Sequence, residues 1–210
     1  MLRINFTERD FAISDFENRI WRNANSVAIN KYWSGELAAP ERHSAARLLW
    51  SESFLYVRFD AVQKEPLIVN ESPDLTEKAD RLWERDVCEL FIAPNRNSRE
   101  EYFEFEVAPT GEWVDLKIQQ TSGQRETDLK YHSGMETGAL IDNESITMAM
   151  KIKWEAFECS PKAGERWLGN LFRIVGKDET RGYLAWRPTE TEQPNFHVPE
   201  KFGDFEFLGK

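Results

Sequence analysis

The sequence predicts an all-β protein: an antiparallel sandwich of two sheets, in the immunoglobulin or jelly-roll style, with one or two short helical turns. Three observations carry this. From residue 47 onward apolar and polar residues alternate with period 2, which sends successive side chains of a strand to opposite faces. The alternating runs are short and recur at intervals of roughly 10 to 20 residues, separated by turn residues. No internal repeat, low-complexity tract or Gly/Ser linker divides the 210 residues, so residues 1–210 read as a single domain.

The elements follow in order. Residues 47–50 and 54–61 flank Ser51-Glu52-Ser53 and predict a β-hairpin. A third strand spans 87–92, and 102–108 (YFEFEVA) alternates cleanly before the turn Pro109-Thr110-Gly111 and a strand over 113–118. Residues 146–153 alternate again, and 168–175, 183–187 and 205–208 supply the later strands. Helical turns fit only near 10–20 and 153–159. Three irregular stretches remain, 62–85, 119–138 and 188–203. The first is long enough to suggest a functional loop.

Composition limits the function. Lys and Arg number 27 against 37 Asp and Glu, a net charge of −10, which argues against nucleic-acid backbones and anionic membrane surfaces. No apolar run matches a membrane helix or a signal peptide, so the expected location is cytoplasmic as written, or periplasmic or secreted if a native leader is missing. Two cysteines, Cys88 and Cys159, exclude a disulfide scaffold and a multi-cysteine zinc site; two reduced core thiols fit better than one disulfide. Eight Trp and 14 Phe suit a β-core, with some Trp left as ligand platforms. Trp21, Trp50, Trp154 and Trp167 sit among periodic apolar residues and read as core. Trp33, Trp113 and Trp186 fit either place.

Alternation also places chemistry. Cys88, Leu90 and Ile92 share one strand face with Val87, Glu89 and Phe91 on the other; Phe103, Phe105 and Val107 likewise oppose Tyr102, Glu104 and Glu106. If the two runs pair, Glu89, Glu104 and Glu106 gather on one outer face near Trp83, and Arg58 joins them. Carboxylates, a cation and a ring suit a sugar, whose C–H faces stack and whose hydroxyls donate. The bland alternatives are a solvated sheet face and, for Trp83, a core plug. An open face beside Arg58 is expected to keep the carboxyls ionised and therefore poor general acids. His43, His132 and His197 are scattered, and the chain has no GxSxG elbow, HExxH, Walker loop or GxGxxG.

Several blocks together carry a family resemblance. LWERDVCELFI at 82–92, YFEFEVAPTGEW at 102–113, KWEAF at 153–157, GERWLGNLFRI at 165–174, YLAWRPT at 183–189 and PNFHVPEKFGDFEF at 194–207 stand in order. They resemble the family 9-like carbohydrate-binding modules over about residues 20–207. The resemblance implies a β-sandwich that binds mono- or oligosaccharides without cleaving them, at glucose- or xylose-type chain ends held between two rings. It implies Trp83 as the first platform and Glu89, six positions on, as the acid that contacts hydroxyls. Phe196 or His197 stands where the best-studied members carry the second Trp. Calcium and an association with glycosidases are implied as well. The chain is therefore read as a binding module with Trp83, Glu89, Glu104, Arg58, Phe196 and His197 as ligand residues. A small glycosidase using two of Glu89, Glu104 and Glu106 is one alternative. A structural or protein-interaction sandwich without sugar binding is the other.

Overall fold

A computed structural model describes residues 1–121 and 124–209. Its strands, in chain order, are β1 (Leu2–Phe6), β2 (Ser26–Ile29), β3 (Lys31–Tyr32), β4 (Ser44–Trp50), β5 (Phe54–Val62), β6 (Val87–Ala93), β7 (Glu101–Val107), β8 (Trp113–Thr121), β9 (Gln124–Asp128), β10 (Glu136–Asp142), β11 (Ser145–Lys153), β12 (Arg166–Val175), β13 (Gly182–Ala185) and β14 (Gly203–Phe207). The all-β expectation holds. One sheet runs β10–β11–β5–β4, with β2 beside β4; the other runs β14–β12–β6–β7–β8–β9, with β13 beside β12 and β3 beside β13. β1 joins them. Leu2–Ile4 pair with Phe205–Phe207, then Asn5 and Phe6 pair with Leu49 and Trp50, and both pairings are parallel in an otherwise antiparallel fold.

Local chemistry explains the tight turns. The Ser51 hydroxyl accepts from the Ser53 and Phe54 amides at 3.2 and 3.1 Å, fixing the β4–β5 hairpin. Gly111, at φ +88°, closes the β7–β8 turn with a 2.9 Å bond to the Ala108 carbonyl, a conformation costly for other residues. Gly169 is needed for space: a Cβ there would lie 2.2 Å from the Phe205 ring.

The main core lies between the sheets and is filled from both, by Leu48, Val57, Phe59 and Met148 on one side and Leu90, Phe105, Leu171 and Phe205 on the other. Trp50, Trp154 and Trp167 join it, and Trp21 is buried elsewhere, so all four Trp expected inside are inside. Two further clusters cover the outer faces. Phe11, Ile13 and Trp21 pack over Leu49, Tyr56 and Ala149, with the Phe11 and Tyr56 rings stacked 4.3 Å apart. On the opposite side Leu82, Phe196 and Phe202 pack over Val87, Phe91, Tyr102 and Phe172. Neither sheet face is open. Burial of each such large apolar side chain contributes on the order of 2 kcal/mol.

Several sequence expectations need correction. β1, β2, β3, β9 and β10 are strands beyond those expected. β1 (LRINF) does alternate, with Leu2 and Ile4 buried, and was legible; the other four carry no period-2 apolar signal, and β9 and the start of β10 fall in 119–138, of which 122–123 lie outside the described residues. Short 3-10 turns at Arg19–Asn23 and Trp154–Phe157 stand near the expected places, but Pro40–Arg42, Leu82–Glu84, Asp178–Thr180 and Pro199–Lys201 add four more. Cys88 is buried and Cys159 exposed, both unpaired, so only Cys88 is a core thiol.

Candidate functional site

The outer face of β6–β7–β8 carries a cavity of about 310 Å³, within the size range of small-ligand sites. Glu89, Phe91, Glu104, Leu116, Ile174 and Tyr183 line it from the sheet; Trp83, Asn195, Phe196 and His197 line it from the covering segments; Arg125 and Thr127 come from β9. The structure thus brings together Trp83, Glu89, Glu104, Phe196 and His197.

The β6–β7 register sets the acids. Glu89 lies opposite Glu106 and Phe91 opposite Glu104, so the three carboxyls share one face as their alternation requires. Trp83 is held by its backbone. It sits in the turn Leu82–Glu84, entered through Arg81 at φ 50°, with Leu82 fully buried beneath. Leu82 is the plug, which leaves the Trp83 ring half-buried at the cavity. Arg181 latches the turn: it donates to the Trp83 carbonyl, to the Glu84 carbonyl at 2.9 Å and to the Tyr183 hydroxyl at 3.0 Å. Asp86 anchors the preceding loop, accepting from the Ile68 amide at 3.1 Å and the Gly176 amide at 2.8 Å. The closing segment is tied in the same way. Asn170, fully buried, donates to the Arg187 carbonyl at 2.7 Å and accepts from its amide at 3.0 Å. Phe196 stacks on Phe172 at 3.9 Å and 11°, and His197 Nδ1 shares a 2.9 Å hydrogen bond with the Tyr102 hydroxyl.

The electrostatics depart from expectation. Glu89, Glu104 and Glu106 are 2, 4 and 0% exposed, because residues 62–86 and 188–203 roof the face that alternation alone makes look open. Glu104 Oε2 and both Glu106 oxygens meet no hydrogen-bond donor among the described residues apart from a proton shared within the cluster. Burial therefore raises all three carboxyls: Glu104 to about 7, held back by its hydrogen bond with Glu106 and by Arg125, and Glu89 and Glu106 well above the usual range, these two pushed further by acidic neighbours. Burial has the reverse effect on His197, lowered to about 3 with help from Arg125, so its imidazole is neutral. Its Nε2 stands 3.9 Å from Glu104 Oε2, beyond hydrogen-bond reach. The premise of an exposed, ionised acid face is overturned.

Arg58 is corrected too. It lies on β5 in the other sheet, donating to Asp60 Oδ1 at 2.8 Å and to the Phe16 carbonyl at 2.6 Å, with the Phe16 and Trp21 rings each 5.8 Å away. Residue 58 alternates correctly, but its strand pairs with β4 and β11, far from β6 in sheet order. Phe196 faces the cavity but is 7% exposed and stacked on Phe172, so it offers an edge of the core instead of a free platform. Tyr183, Asn195 and Arg125 were missed. Tyr183 sits in a recognised strand and was legible as a second ring; Arg125 sits in QRETD, whose polar alternation carries no burial signal. Among the described residues no three His, Cys, Asp or Glu side chains are placed to hold a metal ion, so the calcium implied by resemblance is assigned no residues.

Comparison with known proteins agrees with the fold. An extracellular protein of Arthroderma benhamiae is 21% identical over 183 residues, 80% of each chain. A Bacteroides uniformis structure, provisionally described as carbohydrate-binding, superposes with a TM-score of 0.75 at 18% identity over 98% of both chains. A family 9 carbohydrate-binding module of Caldicellulosiruptor kristjanssonii, solved with glucose and with cellotriose, gives TM-scores of 0.69 and 0.70 at 14% identity, covering 99% of this chain and 96% and 94% of that one. The model of the carbohydrate family 9 binding domain-like family matches residues 15–210, and the chain belongs to that family of non-catalytic binding domains.

Proposed function

We propose that this protein binds a saccharide in the Trp83 cavity and does not cleave it. The single observation that carries the reading is the cavity's make-up. A half-buried indole stands beside two buried carboxyls, one with an oxygen that meets no donor from outside the acid cluster among the described residues. A pyranose supplies what is missing, C–H faces for the Trp83 ring and hydroxyl donors for Glu89 and Glu104. The bound part is a glucose- or xylose-type chain end, with Tyr183 and the Phe196–His197 segment on the other wall. Asn195 at the mouth adds an amide. Each hydroxyl hydrogen-bonded to a carboxyl contributes about 0.5–1.5 kcal/mol where that carboxyl is protonated and about 1.5–3 kcal/mol where it is ionised, which sets micromolar-to-millimolar affinity once ordering costs are subtracted.

One observation favours a second reading. A Glu104 carboxyl raised to about 7 has the protonation a glycosidase's general acid needs. Turnover decides between them. Calorimetry with cello- and xylo-oligosaccharides should show binding, with no reducing sugar released after overnight incubation; release that disappears in Glu104→Gln would install the glycosidase. Trp83→Ala should abolish binding with little change in melting temperature. Leu82→Ala, by contrast, should cost about 2–5 kcal/mol of stability. A large stability loss in Trp83→Ala would return that ring to the core.

A further inference from the structure

We infer that the cavity selects amino sugars, whose free ammonium pairs with the Glu89–Glu104 carboxyls, over neutral sugars of the same shape. This rests on the sugar-binding reading and names the class of sugar.

The acid cluster beneath the cavity lacks a bonded countercharge among the described residues. Other buried acids of the fold have donors: Asp86 accepts from two backbone amides, and two acids have cations. Asp115 has Lys78 at 2.7 Å, and Glu112 accepts from Asn70 and Thr110 at 3.0 and 2.8 Å with Arg85 at 3.3 Å. Beneath the cavity three acids stand together, and among the described residues no such partner reaches Glu104 or Glu106. The groups facing them from each neighbouring element do not fill the role. From β7, the Tyr102 hydroxyl is engaged with His197, and His197 itself is neutral. Arg181, before β13, spends its guanidinium on two carbonyls of the Trp83 turn, the Gly176 carbonyl and Tyr183. Arg125, on β9, is exposed. A buried carboxylate without a partner is costly and a cation within hydrogen-bond distance recovers that cost. A neutral sugar brings only hydroxyl donors; an ammonium brings three donors and the charge. Its arrival favours the ionised carboxylates, so protons held by the cluster pass to solvent as the ligand binds.

The test is titration calorimetry on the intact protein at about pH 6.5 with D-glucose, D-glucosamine, 6-amino-6-deoxyglucose and N-acetylglucosamine. Each titration is run in two buffers of different ionisation enthalpy. One free amine should bind at least tenfold tighter than glucose, with protons released; N-acetylglucosamine, its charge removed, should show neither effect. Glu106→Gln, whose side chain lies behind the cavity lining, should narrow the amine-to-glucose ratio severalfold. Glucose binding with equal or weaker binding of both amines overturns this inference and leaves the sugar-binding reading intact. So does tighter amine binding without proton release or with an unchanged ratio in Glu106→Gln. No binding of any of the four overturns both.

Discussion

The two outer faces of the sandwich are roofed alike and charged differently. On the β5–β11 face, Phe11, Ile13 and Trp21 cover the sheet, and the charges beneath are mutually satisfied: Asp60 takes Arg58 and Arg47, and Thr147 donates to it at 3.3 Å. On the β6–β7 face, Leu82, Phe196 and Phe202 cover the sheet, yet Glu89, Glu104 and Glu106 face one another without a bonded cation among the described residues. The first arrangement is complete as it stands. The second is held at a cost in stability that a ligand can recover, and it has a cavity through which the ligand can arrive. A buried charge becomes a functional signal when its partner is missing, and not because it is buried.

The largest expected effect comes from pH. The three carboxyls have ordinary values near 4.5 in the unfolded chain and higher ones when folded, so as pH rises the unfolded chain loses protons first and stability falls. For Glu104, the difference between 4.5 and about 7 corresponds to roughly 3 kcal/mol. His197 acts oppositely between about 3 and 6.5, where protonation of the unfolded imidazole makes stability rise with pH, and it is silent above 6.5. The clean window therefore opens at about pH 6.5, where His197 is silent. There the melting temperature should fall as pH rises through about 7, where Glu104 loses its proton, and Glu104→Gln should be more stable than the parent. A flat or rising profile would mean the acid face is as well satisfied as the other.

Asp60→Ala tests the satisfied face. It removes the acceptor shared by two guanidinium groups, and loss of hydrogen bonds to charged partners costs about 1.5–3 kcal/mol. Chemical denaturation should show that loss with saccharide affinity unchanged. The contrast is in sign: deleting a charge destabilises one face, and neutralising a charge stabilises the other.

Which of this was legible in the sequence follows from what alternation reports. It reports the side a residue faces, and so it placed Glu89, Glu104 and Glu106 together and Cys88, Leu90 and Phe105 in the main core. It does not report what lies above that side. The roof comes from 62–86 and 188–203, held by Asp86, Asn170 and Arg181 through backbone bonds that have no periodic signature. That is why a buried acid cluster read as an open one. Arg58 was misplaced because strand order is non-local: β5 and β6 are consecutive in sequence but belong to different sheets. Arg125 stayed hidden because β9 buries almost nothing, so its alternation is polar on both sides.

The smallest effect belongs to Arg125, the cation that lines the cavity from its outer strand. Exposed as it is, Arg125→Gln should change stability by no more than about 0.5 kcal/mol. Its influence on ligands is electrostatic and reaches the cavity, since it contributes to the lowering of His197 and opposes the rise of Glu104. Removing it leaves the acids more strongly raised and the cavity less cationic. A neutral saccharide should barely register the change at physiological salt, where exposed charges are screened beyond about 8 Å. A cationic one should bind a few fold tighter, and the gain should shrink as salt is raised. If Arg125→Gln instead weakens neutral and cationic sugars equally, the arginine is a hydrogen-bonding contact to the sugar itself, and the cavity's charge is better balanced than its three acids suggest.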